Sequence, residues 1–277
     1  MKIGIIGLGC IGGSLALALA GKKGISKICA LDRDEQPIRM ALACKAINEG
    51  TTKDYSIFSN CDILFIGVNT AEVLSEAEKA ARVCKGIITD TASTKAGIMK
   101  AAARSGIPRF IGGHPMAGSE RNGFSAAKAT LFTDAAYVLC RGSASEDDMK
   151  MLQNIIRLTG AIPLEMDEEA HDRAAALASH LPHIQAAVLC ALASSGGEDV
   201  AKMAAGGFRD MTRIASCDPG MWADILISNQ KALNKALCDQ VQTVREIQRL
   251  IRNGDKKGLI QFLSQAREYR EKAIKPR

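Results

Sequence analysis

A histidine in a glycine-rich segment is the strongest candidate for acid–base chemistry in this chain. His114 lies within Gly112–Glu120, where two glycines precede it and Pro115 follows it. An imidazole titrates near neutral pH and can accept a hydroxyl proton while hydride leaves the same carbon atom. His114 is therefore our candidate general base, and Ser93 and Glu120 are candidates that orient its ring or tune its pKa.

Two further histidines lie close together later in the chain. His180 and His183 are three residues apart, so they share one face if the segment is helical. A metal site would need a third ligand, and the spacing of His171 and Glu169 from this pair is not typical of one. We therefore predict no metal site.

An arginine with an acidic neighbour is a candidate contact for an anionic substrate. Arg213 follows Asp210 by three residues, about one helical turn. A carboxylate beside a guanidinium holds it in a set orientation, and the guanidinium can bind a planar carboxylate of a ligand. The alternative is an ordinary surface ion pair, worth only a few tenths of a kcal/mol.

A glycine-rich turn near the N-terminus is typical of dinucleotide-binding proteins. It follows a short apolar run, Lys2–Ile6, and precedes a helical pattern, as the motif requires. The glycines permit a tight bend and a close approach to a pyrophosphate, and the helix N-terminus supplies N–H groups. The candidate cofactor-binding residues of this turn are Gly7, Gly9, Cys10, Ile11 and Gly12.

An acidic residue 20 positions after Gly12 indicates which dinucleotide binds. Asp32 ends the second apolar run, where a carboxylate accepts hydrogen bonds from the ribose of NAD and repels a 2′-phosphate. Arg33, also a candidate cofactor contact, and Arg39 are close enough to weaken that preference. We predict NAD rather than NADP as the cofactor.

The elements that must position these residues fall into two parts. Up to residue 166, strand-like runs alternate with helical patterns, which predicts a mostly parallel sheet covered on both faces. The predicted fold is α/β, with a doubly wound Rossmann-type domain over residues 1–166 and an all-helical domain over residues 167–277. The predicted strands lie near Lys2–Ile6, Lys27–Leu31, Asp62–Val68, Gly86–Asp90, Arg109–Ile111, Tyr137–Cys140 and Ala161–Glu165.

The predicted strands place the candidate residues at one edge of the sheet. Ligands of an open α/β sheet bind beyond the carboxyl ends of its strands. The segments Asp90–Lys95 and Gly112–Glu120 each follow a predicted strand. We therefore expect His114 in a loop at that edge, and Ser93 as the N-cap of the next helix.

The second part of the chain is predicted to consist of helices. One helix is expected over His171–Ser195, with Pro182 interrupting it. Another is expected over Asp218–Asn253.

Composition narrows the classes of partner. The net charge is +6, but Lys and Arg are mixed with Asp and Glu and aromatic residues make up 4%, so we expect no nucleic-acid partner. No apolar stretch approaches the roughly 20 residues of a membrane span, and the chain opens with a strand rather than a signal peptide. The nine cysteines, an odd number without a Cys-x-x-Cys pair, are interpreted as buried thiols. We expect a cytoplasmic protein.

Taken together, these residues resemble the prephenate dehydrogenase family of tyrosine biosynthesis. The glycine-rich turn is generic, whereas the two histidine-containing strings are specific and occur in the family's order. The matching segments are Gly7–Leu15, Asp90-x-x-Ser93-x-Lys95, Gly112–Glu120, Leu131-Phe132, His171-Asp172, Ser179–His183, Gly207–Ala215 and Asp218–Trp222.

The resemblance implies an NAD-dependent reaction. Hydride leaves the ring carbon that bears the hydroxyl of prephenate, His114 takes the hydroxyl proton with Ser93 in contact, and loss of CO2 makes the ring aromatic and gives 4-hydroxyphenylpyruvate. It also implies a homodimer formed through the helical domain. The implied substrate-binding residues are Arg213, Asp210, His183, Ser179 and Trp222.

Three alternatives remain open at this point. Arogenate dehydrogenases catalyse the same chemistry on an amino analogue, and the resemblance favours prephenate because His183 tends to differ in them. A generic β-hydroxyacid dehydrogenase would use a lysine base in the helical domain, where no lysine lies in a comparable motif. An NAD-sensing binding protein would not need His114, His183 and Arg213 together.

Overall fold

The computed structural model describes residues 1–119 and 121–273. The chain forms two compact units, Met1–Gln230 and Lys231–Arg277. Within the described residues, the first unit contains one eight-stranded sheet. Its strands are β1 (Lys2–Ile6), β2 (Lys27–Leu31), β3 (Glu49–Thr51), β4 (Ile63–Ile66), β5 (Ile87–Asp90), β6 (Phe110–Pro115), β7 (Ala136–Cys140) and β8 (Ile162–Glu165).

The sheet is mostly parallel, as predicted. Its strand order is β3-β2-β1-β4-β5-β6-β7-β8, and only the β6–β7 pair is antiparallel. The chain order reverses between β1 and β4, which makes a crevice at the carboxyl ends of these strands. The short edge strand β3 was not predicted, because Glu49–Thr51 has neither the length nor the apolar pattern of a strand.

Both faces of the sheet are covered, and the strands alternate between two apolar clusters. In β1, Ile3 and Ile5 belong to one cluster and Ile6 to the other. In β4, Phe65 lies in the first cluster and Ile66 in the second. This period of two explains why the central strands are apolar at nearly every position.

The helices follow the predicted alternation in the first part of the chain and occupy the rest of it. The predicted α/β architecture with a following helical part is confirmed. The helices are α1 (Cys10–Leu19), α2 (Glu35–Ala43), α3 (Val73–Ala81), α4 (Ala96–Arg104), α5 (Glu146–Leu158), α6 (Glu168–Ala175), α7 (Leu181–Ser195), α8 (Glu198–Met203), α9 (Gly206–Thr212), α10 (Pro219–Ser228), α11 (Gln230–Arg252) and α12 (Lys256–Ala273).

Strand β6 is longer than predicted, which changes the setting of His114. The strand was expected to end near Ile111, but it continues to Pro115 because the antiparallel strand β7 pairs with this stretch. His114 faces Val138 in that register. His114 is therefore a strand residue rather than a loop residue, and the two glycines before it concealed the strand.

The helical run around Pro182 is interrupted in an unusual way. Between α6 and α7, Ala176–His180 forms a π-helical segment, and Pro182 lies in the first turn of α7. Proline has no N–H, so it cannot continue the regular hydrogen-bond pattern of the preceding turn. The helix widens at this point rather than ending, and such segments occur frequently at functional sites.

The helix expected over Asp218–Asn253 is wrong as a single element. Helix α10 ends at Ser228 and α11 begins at Gln230. Asn229 separates them because its side-chain amide donates a 2.8 Å hydrogen bond to the carbonyl of Asp172. An asparagine inside an amphipathic pattern gave no signal of that distant partner.

One helical run passes a length and composition test for a membrane span. It covers Glu168–Ser195, with a mean hydropathy of 1.4 in a window that is 28% buried. The expectation that no apolar stretch approaches the length of a membrane span is therefore wrong. Core helices of soluble proteins share this composition, and the run carries the buried polar residues Asp172 and His180, which are costly in a bilayer.

The cysteines only partly match the expectation of buried thiols. All nine are free. Cys29, Cys61, Cys84 and Cys140 are buried, whereas others such as Cys190 are exposed.

Candidate active site

The glycine-rich turn after β1 has the geometry of a phosphate-binding turn. Gly7 has a φ of 88°, a left-handed conformation that favours glycine. A Cβ on Gly12 would lie 1.9 Å from the carbonyl oxygen of Gly7, so α1 can approach the strand only with glycine there. A Cβ on Gly9 would meet nothing within 4 Å. The space beside Gly9 is therefore open to a ligand.

The N-terminus of α1 leaves donors for that ligand. Helix α1 begins at Cys10, followed by Ile11, and Gly9 at its N-cap provides no side-chain acceptor. The first N–H groups of a helix lack partners within the helix, and together with the helix dipole they favour an anion. The turn therefore fits the pyrophosphate of a dinucleotide.

Asp32 lies at the carboxyl end of β2, next to the same turn. Its Oδ2 accepts a 2.6 Å hydrogen bond from the N–H of Leu8, and its Oδ1 accepts one of 2.9 Å from the N–H of Asp34. The carboxylate thus supports the turn through the N–H of Leu8. Arg33 is exposed, with its Nε 3.9 Å from Asp34.

A buried ion pair supports the backbone next to His114. Lys95 and Asp90 contact each other with no solvent exposure of either side chain. Lys95 Nζ also donates a 2.6 Å hydrogen bond to the carbonyl of Gly113, and Asp90 Oδ1 accepts one of 3.0 Å from the N–H of Gly113. A Cβ on Gly113 would lie 2.4 Å from the carbonyl oxygen of Asp90, so glycine is required there.

His114 is buried and hydrogen-bonded to a second histidine. Its Nδ1 lies 2.8 Å from His171 Nε2, and the two rings are at 74°. His171 Nδ1 in turn lies 2.8 Å from Asp172 Oδ1. Within the described residues, His114 Nε2 has no hydrogen bond. This ring nitrogen is therefore the one left for a substrate.

The surroundings of His114 favour its neutral form. Burial holds the pKa of His114 well below the usual histidine value, and the charges of His171, Lys95 and His180 lower it further. A neutral imidazole is a proton acceptor at neutral and mildly acidic pH, so the site suits a general base.

Asp172, not Ser93, caps the helix beside this site. The carboxylate of Asp172 accepts hydrogen bonds of 2.7 Å from the N–H of Lys95 and 2.9 Å from the N–H of Ala96. Helix α4 begins at Ala96, so the expectation that Ser93 is its N-cap is wrong. The cap comes from a residue 76 positions away, which local sequence cannot indicate.

His180 and His183, three residues apart in the helical part, both contact one tryptophan. The ring of His183 stacks on Trp222 with centroids 3.6 Å apart and an angle of 5°. His180 contacts the same indole edge-on, and its Nδ1 lies 3.1 Å from Asn229 Nδ2. Ser179 is half-buried in the π-helical segment.

Several polar atoms in this cluster are buried without a hydrogen-bond partner in the described residues. They are His180 Nε2, His183 Nδ1 and Trp222 Nε1. Burial lowers the pKa of His180 to about 4 and also lowers that of His183. Unpaired buried donors and acceptors are costly, so these atoms are candidates for hydrogen bonds to a polar ligand.

The segment that carries Arg213 packs beside α7. Asp210 is exposed near the end of α9, and Arg213 is exposed at the start of a short 3₁₀ turn, Arg213–Ser216. This turn contacts α7, the helix that contains His183. The structure thus brings the arginine segment and the histidine–tryptophan cluster into one unit.

Three predictions concern a metal site, Glu120 and Ser93. No group of three or more metal-ligating side chains occurs in residues 1–119 and 121–273. Glu120 lies outside the described residues. The role of Ser93 beside His114 stays a prediction, since no hydrogen bond joins the two.

Sequence reasoning did not identify the partners of His114. The sequence pointed to His171 as a possible metal ligand and to His171-Asp172 as a matching family segment, but it gave neither residue a role beside His114. The adjacent His-Asp pair at the start of a helix was the available signal, but nothing in the sequence places it beside β6.

Comparison with known proteins agrees with this geometry. Residues 15–163 match the family domain described as "Prephenate dehydrogenase, nucleotide-binding domain", and residues 167–265 match "Prephenate dehydrogenase, dimerization domain". The prephenate dehydrogenase of Bacillus subtilis (strain 168) is 33% identical over 279 residues, covering 96% of this chain and 74% of that protein.

Two solved structures are similar over nearly the whole chain. The prephenate dehydrogenase of A. aeolicus, in complex with hydroxyphenyl propionate and NAD+, has a TM-score of 0.91 at 28% identity, covering 99% of this chain and 98% of that one. Synechocystis arogenate dehydrogenase has a TM-score of 0.87 at 30% identity, covering 99% and 100%. The chain therefore belongs to the prephenate dehydrogenase family and is an NAD-dependent oxidoreductase.

Proposed function

We propose that this chain catalyses the oxidative decarboxylation of prephenate to 4-hydroxyphenylpyruvate in tyrosine biosynthesis, with NAD as hydride acceptor. One observation carries the proposal. His114 is buried at the ligand edge of the sheet, its Nδ1 is occupied by His171, and its Nε2 has no hydrogen bond within the described residues. This is the arrangement that a base for a substrate hydroxyl requires.

The turn after β1 would hold the cofactor. When bound, NAD supplies the acceptor for the hydride. The backbone of Gly7, Gly9 and Gly12, with the N–H groups at Cys10 and Ile11, would bind its pyrophosphate. Asp32 would accept hydrogen bonds from the adenosine ribose, and Arg33 would lie beside it.

The substrate first loses a proton and a hydride and then loses its ring carboxylate as CO2. His114 Nε2 accepts the proton of the substrate hydroxyl as the ring carbon gives up hydride and becomes a carbonyl. The bond from the ring to its carboxylate then breaks and CO2 departs. The bonding electrons make the ring aromatic and convert the new carbonyl into a phenolate oxygen, which takes up a proton to give the hydroxyl of the product. Ser93 and Glu120 would orient the imidazole. Lys95 keeps the backbone of Gly113 in place during these steps.

The helical part would bind the anionic groups of the substrate. Arg213 would bind one carboxylate, with Asp210 modulating it, because a guanidinium matches a planar carboxylate. Ser179, His183 and Trp222 would line the pocket. The unpaired buried atoms His183 Nδ1 and Trp222 Nε1 support this assignment, since a substrate oxygen can accept from the indole N–H.

We also propose that the chain divides into a cofactor domain, 1–166, and a substrate and dimerisation domain, 167–277.

Exposed apolar side chains support a homodimer. Val188 and Leu192 are exposed on α7, and in the second unit Val241, Val244 and Ile251 are exposed on α11. A second copy would bury these faces. Sedimentation should give a dimer, and a monomer at micromolar concentration would contradict the proposal.

We assign this apolar surface to a protein partner rather than to lipid. The run Glu168–Ser195 contains the buried Asp172 together with His171, His180 and His183, and ionisable groups are costly in a bilayer. We therefore propose that the protein is a soluble, cytoplasmic enzyme that has no membrane or nucleic-acid partner. Fractionation of cells that produce the protein should recover it without detergent.

Arogenate is the second candidate substrate. The similarity to Synechocystis arogenate dehydrogenase supports it, at 30% identity over the whole of that chain. Prephenate is preferred because His183 lies in the proposed pocket.

One assay tests these assignments together. NADH absorbance should rise when the protein and NAD are mixed with prephenate, and the specificity constant for prephenate should exceed that for arogenate. The His114→Gln variant is the matched control, because it removes the base and keeps a side chain of similar size. Equal turnover by this variant, or none by the wild type, would contradict the proposed function.

A further inference from the structure

Three side chains from two distant parts of the chain form a continuous line of hydrogen bonds. His114 Nδ1 is 2.8 Å from His171 Nε2, and His171 Nδ1 is 2.8 Å from Asp172 Oδ1. All three residues are buried. The line starts at the proposed base and ends at a carboxylate.

The carboxylate at the end of the line can only accept. Asp172 accepts from the N–H groups of Lys95 and Ala96, and its Oδ1 lies 2.8 Å from His171 Nδ1. These hydrogen bonds outweigh the effect of burial and lower the pKa of Asp172, so it is ionised at neutral pH. An ionised carboxylate has no proton to give, so His171 Nδ1 must carry the hydrogen of that bond.

The remaining proton positions follow from this one. In neutral His171 the second ring nitrogen, Nε2, is an acceptor. The hydrogen between the two rings must then belong to His114 Nδ1. In neutral His114 this leaves Nε2 without a hydrogen, and Nε2 is the nitrogen that makes no bond within the described residues.

We propose that His171 and Asp172 are positioning residues that hold His114 as its Nδ1–H tautomer, so that Nε2 is the proton-accepting atom. This inference rests on the proposed function, in which His114 is the base. An imidazole with its hydrogen on Nε2 would present a donor to the substrate hydroxyl and could not accept its proton. In a serine protease, replacing the aspartate that fixes a catalytic histidine's tautomer lowers kcat by about 10⁴.

The tautomer can be measured without substrate. The chain has four histidines, so a long-range ¹H–¹⁵N correlation spectrum of the ¹⁵N-histidine-labelled protein can be assigned with single-histidine variants. At mildly alkaline pH, His114 and His171 should both show hydrogen on Nδ1. Hydrogen on Nε2 of His114 in the wild type would overturn the inference.

Two variants of His171 separate hydrogen bonding from packing. His171→Gln can present its side-chain oxygen to His114 Nδ1, whereas His171→Met has a similar volume and no comparable acceptor. We expect His171→Met to lose the Nδ1–H signal of His114 and to lower kcat by about 10²-fold or more, within the range for general-base catalysis. His171→Gln should keep the signal and retain at least about tenfold more activity than His171→Met. Equal losses in the two variants would overturn the inference.

The readouts distinguish this inference from the proposed function. NAD affinity should be similar in the two His171 variants, since both leave the cofactor turn unchanged. Their thermal midpoints should also be similar, since the two side chains have similar volumes. If His114→Gln retains turnover, the assignment of the base fails whatever the tautomer is. If His114→Gln is inactive and the wild-type spectrum shows hydrogen on Nε2, the base assignment stands and only the role of His171 and Asp172 fails.

Discussion

Lys95 and Asp90 form an ion pair from which solvent is wholly excluded, and the lysine also donates a 2.6 Å hydrogen bond to the carbonyl of Gly113. The pair joins the end of β5 to the strand residue that precedes His114. A buried pair of charges contributes little net stability compared with an apolar pair, but removal of one partner leaves an uncompensated charge. Variants of this pair therefore test how the backbone next to His114 is held.

Replacement of the lysine alone should destabilise the fold. In Lys95→Met the carboxylate of Asp90 stays buried and keeps only its backbone N–H donors from Ala92 and Gly113. We expect a loss of about 3–5 kcal/mol in the free energy of unfolding. Urea denaturation followed by circular dichroism measures it.

The double variant Asp90→Asn/Lys95→Met is the matched control. It removes both charges, so a substantial part of the lost stability should return. A single variant as stable as the wild type would show that the buried pair does not contribute in this way.

The sheet was largely predictable from sequence because it is built from local patterns. Apolar runs such as Lys27–Leu31 alternate with amphipathic helical patterns, and this alternation of strand and helix indicates a mostly parallel sheet. The extension of β6 was not predictable. Glycine is depleted in strands, and the pairing of Gly112 and Gly113 depends on β7, which follows in the chain.

The candidate site was predictable in its residue types but not in its connections. His114 and Arg213 were found from chemistry and motif. The hydrogen bond between His114 and His171 spans 57 positions, and the caps that Asp172 provides span 76 and 77. Such contacts depend on how the helical part folds against the sheet within the first unit, and a single sequence does not encode them in any local pattern.

Two glycines of the cofactor turn should respond differently to alanine. In Gly12→Ala the new Cβ would lie 1.9 Å from the carbonyl oxygen of Gly7, so α1 must move. We expect a loss of about 1–3 kcal/mol in the free energy of unfolding, together with weaker NAD binding. Thermal unfolding and titration of NAD by calorimetry measure the two effects.

Gly9→Ala is the comparison. Its Cβ would meet no protein atom within 4 Å, so stability should be unchanged. NAD binding should still weaken, by about tenfold or more, because the methyl group occupies the space needed for the pyrophosphate. Unchanged NAD affinity in Gly9→Ala would place the cofactor elsewhere.

Asp32 should determine the preference for NAD, but it also supports the turn. Its carboxylate accepts the N–H of Leu8 at 2.6 Å, so a variant that loses this acceptor disturbs both roles. Asp32→Asn keeps an acceptor for Leu8 and removes the negative charge. We expect the ratio of kcat/KM for NAD to that for NADP to fall by about tenfold, or about 1.4 kcal/mol. Ratios equal to those of the wild type would remove Asp32 from cofactor selection.

Arg213 should act on substrate binding more than on chemistry. It lies in the turn that packs against α7, which is the helix that contains His183. In Arg213→Ala we expect KM for prephenate to rise by about 10–100-fold, the loss of about 1.5–3 kcal/mol typical of a charged hydrogen bond. The KM for NAD should not change. Arg213→Lys should recover only part of the affinity, because an ammonium cannot bind a carboxylate bidentately. A normal KM in Arg213→Ala would exclude the clamp.

The depressed pKa of His114 predicts the pH range of activity. Burial, and then the charges of His171, Lys95 and His180, favour the neutral ring, so His114 remains a base below the usual histidine pKa of about 6.5. As pH falls, kcat/KM should therefore stay level through that value and decline only through the lower pKa, where Nε2 becomes protonated in the free enzyme. A pH series of initial rates and an NMR titration of the His114 ring should give the same midpoint, and the ring signal is identified by its absence in His114→Gln. A decline centred at or above about 6.5 would show that the ring is protonated as easily as an exposed histidine, and the buried base would then be excluded.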